Sequence, residues 1–183
     1  MIHKLALKRL YQPIEKLMEQ LGKILAWMTF MLVIVEFLVV VLRYLFEIPS
    51  IRLQESALWI HSIIFMLGAA YTLGRDEHVR VDIYYRKKSQ RFQAWVNLMG
   101  VLLLLFPVCY YLFIYSVDSV VLSWKLSETS QEVGGLPALY LIKTLLLILP
   151  TLLFLQGIAT LLKQIEILSE HSITKLPKHE PSL

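Results

Sequence analysis

Four stretches of the chain are apolar on nearly every face, and short charge-bearing pieces separate them. They run from Ile24 to Leu45, Ser56 to Leu73, Ala94 to Val117 and Ala138 to Leu162. At about 1.5 Å per residue, even the shortest nearly spans a hydrocarbon core of about 30 Å. Lipid offers no hydrogen-bond partner to open backbone, so each stretch must be helical. The pattern predicts an all-α integral membrane fold of four transmembrane helices.

Ahead of the first span the period changes. Leu7, Leu10, Ile14, Leu17, Met18 and Leu21 recur at spacings of three and four, with Lys8, Arg9, Glu15, Lys16 and Glu19 between them. Pro13 suits a helix start better than a helix interior. Residues 1–23 therefore read as a short amphipathic helix, either lying on the membrane interface or extending span one. The four-helix domain covers 24–165. The chain from Ser169 onward, with Pro177 and Pro181, has no period, so 166–183 is assigned to a disordered tail. Ile48-Pro49-Ser50 marks a very short connection after span one. A longer one, Leu122 to Pro137, holds Gly134 and Gly135.

Charge sets the orientation. Of the 18 lysines and arginines, the N-terminal segment, the Arg75–Arg91 connection and the tail hold all but Arg43, Arg52, Lys125 and Lys143. The positive-inside rule then places both termini and the central connection in the cytoplasm, which requires an even number of spans. Four satisfy it. The same asymmetry explains the isoelectric point near 9.1 by topology and anionic lipid, and argues against a nucleic-acid partner. Composition agrees, at 57% hydrophobic and 17% charged residues against roughly 45–50% and 25% in soluble domains. Glu36 and the lack of a small-residue cleavage site mark the first span as retained and not a signal peptide.

Candidate chemistry is sparse. The single cysteine, Cys109, lies in an apolar run and excludes an internal disulfide or a cysteine metal site. No second intramembrane histidine accompanies His61 for a membrane haem, so no cofactor is expected. Glu36, His61, Asp118 and Lys143 all fall in the outer half of the bilayer at similar depths, with Asp118 closing span three. They are either steps of a proton or ion path or a polar cluster that fixes packing, with Lys143 snorkelling to the surface. Few polar residues continue inward, which favours the cluster. Glu36 is expected to pair with His61 or Lys143. Pro107 and Pro150 are expected to kink spans three and four.

Arg43-Tyr44-Leu45-Phe46, the short connection and Glu55 opening span two resemble the small membrane subunit of TRAP transporters. Further along, Gly68-Ala69-Ala70-Tyr71-Thr72-Leu73-Gly74 is followed by His78-Val79-Arg80-Val81-Asp82 and the basic Arg86-Lys87-Lys88. Gly135-Leu136-Pro137 and Pro150 complete the likeness, which covers roughly residues 20 to 165. The resemblance implies a non-catalytic subunit in the bacterial inner membrane. Such a subunit braces a large elevator-type membrane subunit of a sodium-coupled organic-acid transporter and helps dock a periplasmic substrate-binding protein. It points to Arg43, Tyr44, Glu55, His78, Asp82 and Pro137 as partner or structural residues. Arg43 and Glu55 could pair across the short connection, and His78 and Asp82 share a face if helical. One rival is a self-sufficient small exporter that uses Glu36, as some four-helix exporters use a span-one glutamate. Another is a membrane enzyme or redox subunit, for which the needed histidine or cysteine pairs are missing.

Overall fold

A computed structural model describes residues 2–75 and 88–173, with side chains from 7–75 and 88–169. His78 and Asp82 lie outside them. Helix α1 (Ile2–Tyr44) is one continuous rod of 43 residues, about 64 Å long. The amphipathic segment is thus continuous with span one and not a separate helix. Pro13 sits inside this helix and not at its start. Its missing N–H costs one backbone bond, yet Tyr11, Met18 and Leu25 are buried on a seven-residue repeat along the same stretch. At the far end Glu47 adopts a left-handed φ of 56°, and Ile48 N–H returns to the Leu42 carbonyl at 2.8 Å. Pro49 then prevents continuation.

Helix α2 (Ile51–Arg75) begins where Ser50 Oγ accepts the Leu53 N–H. Helix α3 (Gln90–Lys125) starts at Ser89, whose hydroxyl accepts the Phe92 N–H. It runs eight residues beyond the expected end at Val117, so Asp118 lies inside the helix and does not close it. A π-turn over Val101–Leu105 interrupts α3, with Phe106 N–H bonding Val101 across the wider ring. That widening just before Pro107 accommodates a residue that has no donor and whose ring would otherwise crowd the preceding turn.

Span four is split into α4 (Leu139–Lys143) and α5 (Leu145–Ile173). The break falls at Thr144, whose hydroxyl and N–H both bond the Tyr140 carbonyl. Pro150 lies inside α5 and is buried. The first residues assigned to the tail are helical. Residues 166–173 continue α5, because Glu166 is held in the bundle by Tyr11 Oη at 3.0 Å.

Helix α5 is the centre of the bundle. It packs against α1, α2 and α3, whereas α3 joins the rest mainly through α5 and α4. Small residues let the backbones meet: Ala70 and Ala159 are fully buried. A Cβ on Gly157 would sit 2.7 Å from Phe106, and one on Gly74 2.9 Å from the Gln156 amide. Four helices among the described residues are long and apolar enough to cross a membrane.

Candidate functional site

Two connections, 45–50 and 126–138, share one end of the bundle, and α2 opens there. Arg52 and Glu55 are three apart on its first turn and therefore face the same side. Arg52 Nε donates to the Gly134 carbonyl at 3.1 Å. The Glu55 carboxylate accepts the Leu136 N–H at 2.5 Å and, with its other oxygen, the Ser130 hydroxyl. Ser130 N–H closes the connection onto the Leu136 carbonyl, and Gly135 N–H bonds Glu132. Glycine is required twice here. Gly134 has φ of 81°, and a Cβ on Gly135 would lie 2.8 Å from Glu55 Oε1. Pro137 follows Leu136 and favours extended backbone there, after which Ala138 turns left-handed (φ 71°) into α4.

A second clamp holds the same connection from the other side. Lys143 Nζ contacts Glu128 Oε2 at 2.5 Å, and Glu128 N–H bonds the Ser123 carbonyl at the end of α3. The Lys143 ammonium holds the Glu128 carboxyl below its ordinary pKa of 4.5. Trp124 packs against Tyr140 with ring centres 4.6 Å apart, and it donates its indole N–H to Thr144 Oγ1 at 3.0 Å. The aromatic pair and the charged pair together fix α4 against α3.

Beside these clamps lies an open cleft of about 610 Å³ between α1 and α2. Glu36, Arg43 and Tyr44 line it from α1, and Gln54, Glu55 and His61 line it from α2. Five residues singled out from the sequence therefore meet in one place. Their pairing differs from expectation. Lys143 is taken by Glu128, because the folded connection brings that carboxylate to it. Glu36 therefore has no ion pair with Lys143. Glu55 and Arg43 share the cleft without an ion pair, since the Glu55 oxygens are committed to Ser130 and Leu136. Asp118 is exposed on α3, away from the cleft.

The opposite end carries contacts that the sequence pattern did not reveal. Tyr11 bonds Glu166, Lys163 pairs with Glu15, and the Lys163 ammonium lies 5.8 Å from the Tyr11 ring centre. Ser130, Arg52 and the Glu128–Lys143 pair were likewise missed. Only the repeat of Tyr11, Met18 and Leu25 offered a signal, since it marks one helix face.

The family model for tripartite ATP-independent periplasmic transporters, DctQ component, matches residues 31–166. The chain belongs to this family. No curated protein and no solved structure matches it. The matched stretch contains every residue of the cleft and of both clamps. As a DctQ component the chain is a multi-pass membrane protein, the small subunit of a TRAP transporter and a part of a transport system, not a member of an enzyme family.

Proposed function

We propose that this subunit braces the large elevator-type subunit of a sodium-coupled carrier of organic acids, of the carboxylate or sialic-acid-like class, in the bacterial inner membrane. The connections 45–50 and 126–138 then face the periplasm, where they help receive the substrate-binding protein. The double clamp of the 126–138 connection carries this reading. Glu55 and Lys143 hold it from two helices, as a docking platform requires, whereas a transport path would need polar residues continuing through the bundle. The apolar exposed face of α1, including Phe30, Val33 and Phe37, suits contact with lipid and with a large membrane partner.

Co-purification tests the assignment. A tagged chain is expected to recover a many-span membrane protein in a one-to-one ratio from mild detergent. Glu55→Ala is expected to impair assembly or uptake while the binding protein keeps its affinity for substrate. The same is expected of Arg43→Ala. If the chain alone moved cationic compounds into liposomes, the small-exporter reading built on Glu36 would replace this one.

A further inference from the structure

The Glu36 cleft has a feature that bracing alone does not require. Glu36 lies seven residues inside Arg43, about 10 Å deeper along α1. His61 lies six residues beyond Glu55 on α2, about 9 Å deeper. Both are exposed on the cleft wall. At that depth the surroundings are hydrocarbon, where an uncompensated carboxylate is strongly disfavoured.

Among the described residues no cation supplies the compensation. Lys143 is bound to Glu128. Arg43 lines the same cleft but forms no ion pair with Glu36. His61 stacks against Phe65, ring centres 6.4 Å apart, and likewise makes no ion pair with Glu36. The apolar side chains that line the cleft with it are Val39 and Val40 on α1 and Leu58 on α2. Glu36 is thus an unpaired carboxylate at the deep end of the cleft, beside apolar side chains, with Arg43 and Glu55 nearer its mouth.

We infer that this cleft seats a lysine or arginine carried on a membrane helix of the large subunit, with Glu36 as its counter-ion. The inference rests on the proposed pairing with that subunit. Charge complementarity selects the occupant. Arg43 stands at the aqueous mouth and repels a free cation arriving from solution. A cation delivered sideways, along the membrane plane, meets Glu36 without passing it. Apolar neighbours on both helices suit the stem of a long side chain and the helix that bears it. His61, at the same depth, is placed to accept a hydrogen bond from that cation through its unprotonated ring nitrogen.

The test co-expresses the large subunit with the tagged chain as wild type, Glu36→Asp, Glu36→Gln or Glu36→Lys. The molar ratio recovered in mild detergent is read, with the melting temperature of each chain purified alone as a folding control. Glu36→Asp is expected to retain the complex. Glu36→Gln, nearly isosteric and uncharged, should lower recovery several-fold. Glu36→Lys should lower it about tenfold or more, since it faces like charge. Recovery with Glu36→Lys should return when the facing lysine or arginine is exchanged for glutamate.

Wild-type ratios with both Glu36→Gln and Glu36→Lys would overturn the cleft assignment while leaving the bracing role intact. So would a phosphatidylethanolamine molecule whose retention depends on Glu36, with assembly unaffected. Failure of the wild type to recover the large subunit would overturn both.

Discussion

The two halves of α1 behave in opposite ways. Residues 7–25, its inner part, are amphipathic and rich in charge, yet they hold the three buried side chains among the helix's described residues: Tyr11, Met18 and Leu25. Its outer half is the more apolar, yet Trp27, Phe30, Val33 and Phe37 are each exposed by 60% or more. In water this would be an inversion. In a bilayer, apolar surface gains nothing by leaving lipid for protein, so helices associate through close packing and hydrogen bonds. The inner half offers both. Gly22 admits the Tyr71 ring, Tyr11 bonds Glu166, and Glu15 pairs with Lys163. The outer half leaves a face for lipid or for a partner, with the Glu36 cleft at its edge.

The most severe way to break this contrast is Gly22→Val. Its Cβ would approach Tyr71 Cδ2 to 2.6 Å, and overpacking of this kind costs about 1–3 kcal/mol. A clear fall in melting temperature of the purified chain is expected. Tyr71→Ala should restore part of it, because the two residues touch. An unchanged melting temperature would mean that the inner half does not pack as described.

Tyr11→Phe should follow, at about 1–2 kcal/mol for the loss of a hydrogen bond to a carboxylate. A double-mutant cycle with Glu166→Gln measures the coupling. Additivity of the two losses would remove this contact from the account of why the inner half is bound.

A smaller effect is expected at the other end, through pH. Lys143 lowers the folded-state pKa of Glu128 beneath 4.5. Its contribution is therefore complete above the ordinary carboxylate value and declines as pH falls through the lower folded value. Melting curves taken from neutral to acid pH should show this increment in the wild type and a smaller one in Lys143→Met, where only the Ser123 hydrogen bond still lowers the Glu128 pKa. The smallest change belongs to the outer half. Phe30→Ala or Val33→Ala should shift the isolated chain by no more than about 0.5 kcal/mol. A loss comparable to that of Gly22→Val would erase the difference between the halves.

The partners of the charged residues sharpen the same lesson. Glu55 and Lys143 were both visible in the sequence as polar groups near one face, but neither takes the partner that proximity along the spans suggested. Glu55 reaches Ser130 and Leu136, and Lys143 reaches Glu128. These contacts depend on a left-handed Ala138 and a positive φ at Gly134. Hydropathy carries no record of such backbone choices. The buried repeat of Tyr11, Met18 and Leu25 was partly legible. Tyr11 was passed over, however, because only its contact with Glu166, 155 residues away, makes a tyrosine there a packing residue.

Hydrophobic length was enough to determine four helices able to span a membrane. Solvation in lipid is a local property, readable one stretch at a time. Tertiary structure alone decided that α5 is the hub, that the inner part of α1 is the more deeply packed and its outer part the more exposed, and that Glu36 shares a cleft with His61 and not an ion pair with Lys143. Those outcomes depend on side-chain volumes and hydrogen bonds meeting between distant segments, and hydropathy says little about which segments meet.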